Sequence, residues 1–215
     1  MNHSSTVAMI SLGCPKNLVN SEEMLALLQD AGYAFTDDLA KADAVIINTC
    51  AFIESAKTEA IEKILETASC REENPDLKIV VSGCLAQRYA DDIRAELPEV
   101  DGVMGTGSYT DVVTAVEELM AGEKAEHFGR LDRAYDDGER MVTTPPYTAY
   151  LKIAEGCSNG CAFCIIPKLR GRYRSRTMES LLAEARRGEG ETLFEKLTAL
   201  IARTDTGHDC TLSLE

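Results

Sequence analysis

Short apolar runs and longer, helically spaced stretches alternate through the first half of the chain. Val7-Ala8-Met9-Ile10-Ser11-Leu12, Ala44-Val45-Ile46-Ile47-Asn48 and Lys78-Ile79-Val80-Val81-Ser82 are continuously apolar rather than alternating. That is the pattern of strands buried on both faces of a parallel sheet. Gly102-Val103-Met104-Gly105 reads as a fourth, shorter strand. Between them the spacing predicts a helix over 21–31, capped by Ser21 and closed by Gly32. A second helix is expected over 54–69 with Ile61, Ile64 and Leu65 inward, and a third over 87–97, stopped by Pro98. A fourth is expected over 109–120, with Val112, Val113, Val116 and Leu119 inward. This order predicts an α/β fold, a doubly wound parallel sheet over residues 1–122. Right-handed crossovers bring the C-terminal end of every strand to one edge of such a sheet.

The later chain is less regular. Residues 123–146 are polar and turn-rich, and are expected to form a linker; His127 reads as a solvated linker residue. Residues 147–153 read as a strand. Thr177 is placed to cap a helix over 178–186, and 190–197 reads as another helix start. No strand is expected over 205–215. Residues 147–215 therefore read as a second domain with few units to bury its apolar faces, and a loosely packed one.

Composition narrows the class. The chain has 215 residues, 45% hydrophobic and 27% charged, with a formal net charge of −14. Such a balance supports a packed core, and its bulk repels nucleic acid and anionic membranes. No run approaches the ~20 apolar residues of a membrane span. The start, Met1-Asn2-His3-Ser4-Ser5-Thr6, has no basic segment of a secretory signal, so a cytoplasmic location is expected. There the eight cysteines stay reduced and are available to metals.

Six of the eight form two sets. Cys157, Cys161 and Cys164 lie in one loop, Glu155-Gly156-Cys157-Ser158-Asn159-Gly160-Cys161-Ala162-Phe163-Cys164, with the spacing C-x-x-x-C-x-x-C. Structural zinc normally takes four protein ligands, and no fourth Cys or His lies close by. A cubane iron–sulfur cluster tolerates three thiolates and leaves one iron open. Gly156 and Gly160 allow a tight turn around it, while Phe163, Ile165 and Ile166 offer an apolar wall. Cys14, Cys50 and Cys84 each follow one of the first three strands, 36 and then 34 residues apart. They are expected to converge where open α/β sheets bind ligands. The plainer readings are a zinc knuckle for the loop and buried core cysteines for the strand ends. Cys70 and Cys210 match neither set. Lys168, Arg170, Arg172, Arg174 and Arg176 alternate with other residues, so an extended segment would show one basic face. It could meet the carboxylate of a cofactor, or an acidic or RNA-bound substrate.

The loop and its flanks, Tyr150-Leu151-Lys152-Ile153-Ala154-Glu155-Gly156-Cys157 and Cys164-Ile165-Ile166-Pro167-Lys168-Leu169-Arg170-Gly171, resemble radical S-adenosylmethionine enzymes of the methylthiotransferase family. Leu12-Gly13-Cys14-Pro15-Lys16-Asn17, Cys50-Ala51-Phe52-Ile53-Glu54 and Ser82-Gly83-Cys84-Leu85 resemble its N-terminal domain. They are closest to the branch that modifies the small-subunit ribosomal protein S-twelve. The resemblance covers residues 7–185. After about residue 186 the family's pattern is lost, so it implies only the start of a radical SAM (βα) barrel.

The resemblance implies an enzyme holding two [4Fe-4S] clusters, one on Cys157, Cys161 and Cys164 and an auxiliary one on Cys14, Cys50 and Cys84. Phe163 would lie beside the first cluster or the adenine of S-adenosylmethionine, or serve only in the packing of its own loop. Beside the auxiliary cluster, Lys16 and Asn17 would either hydrogen-bond near it or only shape the turn after Cys14. One-electron cleavage of S-adenosylmethionine would yield the radical that takes a hydrogen from the β-carbon of an aspartate. The auxiliary site would then supply the methylthio group. The implied partners are ribosomal protein S-twelve or the small ribosomal subunit, and a reductant such as flavodoxin or ferredoxin. Two alternatives stand beside this reading: a tRNA methylthiotransferase, and a non-catalytic iron–sulfur-binding fragment.

Overall fold

Four apolar runs become four adjacent parallel strands because each can bury both of its faces. In the computed structural model, which describes residues 5–132, 138–145, 147–187 and 211–214, they are β1 (Thr6–Ser11), β3 (Ala44–Thr49), β4 (Lys78–Gly83) and β5 (Gly102–Met104). Two strands too short to show an apolar run extend the sheet at its edges, β2 (Ala34–Phe35) and β6 (Ala125–His127). The order is β2-β1-β3-β4-β5-β6, and every pairing is parallel. The sheet thus runs on into the stretch expected as a linker. His127 is half-buried in β6, its ring 2.8 Å from the Glu118 carboxylate.

Helices α1 (Pro15–Asp30), α2 (Glu54–Ser69), α3 (Cys84–Glu96) and α4 (Val112–Met120) connect the strands. On one face Met24 and Leu28 of α1 and Val112, Ala115, Val116 and Leu119 of α4 pack with Val7, Ile46, Val80 and Met104 of the strands. Because side chains alternate along a strand, Val45, Ile47, Ile79 and Val81 point to the opposite face and are equally buried. There α2 and α3 lie against β3 and β4.

All four helices differ in some respect from the sequence expectation: α3 begins three residues early, at Cys84, α4 three residues late, at Val112, and α1 and α2 differ more. α1 begins at Pro15 rather than near Ser21, because its first half buries polar residues that break the apolar stripe. Ser21 is a buried helix residue that donates to the Ser11 hydroxyl at 2.9 Å, not a cap. In α2 the buried residues are Ala60, Ile64 and Thr67, while Leu65 is 45% exposed. Residues 1–131 form the first compact unit together with 139–141, where the Met141 amide donates to the Glu22 carbonyl at 3.0 Å.

The second unit comprises 132–138 and 142–215. Its described elements are β7 (Ala149–Lys152), β8 (Ala154–Glu155), α5 (Ile166–Arg170), β9 (Arg174–Ser175), α6 (Met178–Arg187) and β10 (Thr211–Leu214). β8 pairs antiparallel with β9, and β7 with β10, so a strand does form where the sequence showed none. Thr177 caps α6 as expected, accepting from the Ser180 amide at 3.2 Å. Among the described residues its apolar cluster comprises Leu151, Leu181 and Ala185, with Ile153 against them. The helix start expected over 190–197, and Cys210, lie outside the described residues.

Candidate functional site

The strand ends carry the first set of thiols. Cys14 is the N-cap of α1, and Cys84 is the first residue of α3. Cys50 directly follows β3, three residues before the N-cap of α2, Ile53. β1, β3 and β4 are consecutive in the sheet, and β1/β3 is the point where the strand order reverses. Such a reversal opens a crevice at the carboxyl ends. The first turns of α1 and α3 hold no acidic residue.

The three turns are drawn together by close packing and by amides. Gly13 has φ +91°, and a Cβ there would stand 2.4 Å from Cys50 Cβ and 3.2 Å from its Sγ. Only glycine lets these turns approach so closely. Asn17 is fully buried in the first turn of α1. Its Nδ2 donates to the Leu12 carbonyl at 3.1 Å and the Thr49 carbonyl at 2.8 Å, and its Oδ1 accepts from the Cys84 thiol at 3.9 Å. Asn48 Nδ2 donates to the Asn17 carbonyl at 2.8 Å and the Ser21 hydroxyl at 2.9 Å. Arg88 of α3 donates to the Ala51 carbonyl at 3.1 Å and so pins the turn after Cys50. Cys50 and Cys84 are buried and Cys14 is exposed. The set is open to solvent on the Cys14 side.

The second set lies in the loop between β8 and α5. Its base is closed twice. The Cys157 amide donates to the Gly171 carbonyl at 3.1 Å. Glu155, buried, accepts from Arg170 at 3.2 Å and from the Gly156 amide at 3.2 Å, with Lys152 Nζ at 3.5 Å. Gly156 has φ +76°, and a Cβ would sit 2.2 Å from the Arg172 carbonyl. Gly160 has open space around it, so the close approach in this loop that excludes a side chain is the one at Gly156. The Cys164 amide donates to the Cys161 carbonyl at 3.1 Å. Cys161 is exposed; Cys157 and Cys164 are half-buried. Phe163 is 95% exposed, so the apolar wall expected over this loop is not closed by that ring.

The basic strip is also different from its sequence expectation. α5 carries Lys168 and Arg170, so the cations do not share one extended face. Arg170 turns inward to Glu155. Arg176 is buried, donating to Glu184, to the Ser180 hydroxyl and, at 3.2 Å, to the Lys152 carbonyl. Two of the five cations thus build the second unit instead of facing a ligand. No sequence signal distinguished them, because inward and outward arginines read alike until Glu155 and Glu184 are placed.

Among the described residues, none of the seven cysteines is in a disulfide, and no three Cys, His, Asp or Glu side chains close around a single ion. A four-iron cluster is larger than an ion and spaces its thiolates more widely. The donor sets fit it in kind: three soft thiols and no carboxylate or imidazole in either.

The model for the uncharacterized protein family UPF0004 matches residues 6–105, which hold Cys14, Cys50 and Cys84. Ribosomal protein uS12 methylthiotransferase RimO of Caldanaerobacter subterraneus subsp. tengcongensis is 54% identical over 180 residues, 83% of this chain and 41% of that protein. The proteins of the same name from Clostridioides difficile and Geobacter sulfurreducens are 44% and 47% identical, over 84% and 86% of this chain and 41% and 42% of theirs. The chain spans about two fifths of the length of these relatives. Across that shared stretch, from the parallel sheet through the second cysteine loop, the chain is homologous to the RimO methylthiotransferases, and its sheet to the UPF0004 family.

Proposed function

We propose that this chain supplies the two cluster-binding segments of an enzyme that adds a methylthio group to the β-carbon of an aspartate in ribosomal protein uS12, the S-twelve protein of the small subunit. The observation that carries this reading is the placement of Cys14, Cys50 and Cys84 at the ends of three consecutive parallel strands. Three thiols there and three in one loop leave each cluster an open iron. When bound, the clusters and S-adenosylmethionine supply one-electron chemistry that side chains lack; an unactivated C–H bond is beyond acid–base reach. The chain's own residues do the rest. Gly13, Asn17 and Arg88 hold the strand-end turns in place, and Glu155, Lys152 and Arg170 close the base of the loop.

Phe163, exposed beside Cys164, is the ring that would cover the loop cluster or the adenine once either is bound. The substrate is read as a protein rather than tRNA. The one basic strip is broken by the inward turn of Arg170 and Arg176, and the net charge of −14 opposes the phosphate contacts that dominate RNA affinity. The setting is the cytoplasm, with flavodoxin or ferredoxin as reductant. Among the described residues no helix is long and apolar enough to cross a membrane.

The test is anaerobic reconstitution with iron and sulfide, then S-adenosylmethionine and dithionite. Release of 5′-deoxyadenosine that is abolished by Cys161→Ala supports the enzyme. Bound clusters without cleavage favour a non-catalytic iron–sulfur fragment. Stoichiometric zinc without iron rejects the proposal.

A further inference from the structure

We infer that Asn17 is a positioning residue for the strand-end thiols: one buried amide sets the mutual placement of all three cysteine-bearing turns. This rests on reading Cys14, Cys50 and Cys84 as cluster ligands, and goes beyond it by naming what holds them. Asparagine is a poor choice for the body of a helix and for a dry core. Here it is fully buried, and each part of it is used. One Nδ2 hydrogen goes to the carbonyl of Leu12, two residues before Cys14. The other goes to the carbonyl of Thr49, immediately before Cys50. With both hydrogens spent, the amide oxygen is left to accept from the Cys84 thiol at 3.9 Å, a contact of the metal-free form that holds this sulfur in place until it gives up its proton to become a ligand. The Asn17 amide also donates to the Cys14 carbonyl at 2.9 Å, which places the residue by the backbone of the same turn.

Ser21 and Asn48 of the same polar layer have different partners. Ser21 meets Ser11 and Asn48, and Asn48 meets Asn17 and Ser21. Those contacts tie α1 to β1 and β3 below the thiols. Asn17 reaches β1, β3 and the sulfur that opens α3. An outer partner of this sort orients metal ligands without touching the metal, and its loss weakens binding while leaving the donor set intact.

The test uses the full chain with Cys157, Cys161 and Cys164 all changed to Ala, so that only strand-end iron is counted. After anaerobic reconstitution the parent is expected to hold about four irons and four sulfides. Asn17→Ala, and the near-isosteric Asn17→Asp in case the first folds poorly, should hold less than half of the parent's iron. They should lose it to a chelator about tenfold faster or more. Ser21→Ala, which perturbs the same polar layer without contacting a thiol turn, should match the parent in both. Parent-like iron retention in both Asn17 variants overturns the inference. So does an equal loss in Ser21→Ala, which would assign the effect to the layer's stability. A parent that holds no iron overturns the inference together with the functional reading beneath it.

Discussion

Single residues carry the close approaches on which both sites depend. Gly13 cannot accept a side chain, since φ is +91° and the Cβ would fall 2.4 Å from Cys50. Gly13→Ala is expected to cost about 1–3 kcal/mol from the backbone conformation alone. A lowered urea midpoint with unchanged slope is the readout, and an unchanged midpoint would contradict the packing described. Glu155 makes a second residue-scale case. Its carboxylate is buried between Arg170 and Lys152, and removing one partner of such a set leaves uncompensated charge. Arg170→Ala should destabilise the second unit by about 3–5 kcal/mol. Arg172→Ala, at an exposed position, should shift stability by less than about 0.5 kcal/mol. Equal effects of the two would return Arg170 to the solvated basic strip that the sequence suggested.

At the scale of elements, the strands were legible in the sequence and the helix faces were less so. Strands buried on both sides announce themselves as unbroken apolar runs, and four of the six strands of the sheet were found that way within a residue or so of their ends. β2 and β6 sit at the edges, with too few apolar residues to register. α1 was misplaced at its start because Asn17, Asn20, Ser21 and Glu22 are buried as polar residues in the service of the thiol turns and of Arg140. A rule that sends polar residues outward fails at such a place. The cysteine sets were visible as spacing, but Asn17, Arg88 and the Glu155–Arg170 pair depend on contacts 15 to 37 residues apart in the chain. α2 offers a direct check on faces. Ile64→Ala should cost about 2–5 kcal/mol as a buried deletion. Leu65→Ala, half-exposed, should cost well under half of that, whereas the helical spacing alone gave the two equal standing.

At the scale of the whole molecule, two units of unequal construction share one chain. The first has a sheet covered on both faces by apolar side chains. Among the described residues the second buries a short apolar cluster and leans on Lys152, Glu155, Arg170, Arg176 and Glu184. Small cores contribute little stability. Limited proteolysis of the metal-free chain should therefore cut beyond residue 142 first and leave a protected fragment covering 5–131. Equal resistance of both units would contradict this. Binding of metal to the loop cysteines should slow the early cuts, because what binds only the folded form stabilises it.

The most direct measurement is iron and labile sulfide per chain after anaerobic reconstitution, made on the unaltered protein and on two variants. One lacks Cys14, Cys50 and Cys84; the other lacks Cys157, Cys161 and Cys164. Two independent cubanes predict about eight irons in the unaltered chain and about four in each variant. An unaltered chain with about four irons, all lost when one trio is removed and none when the other is, would show that only one of the two sets of sulfurs binds a cluster.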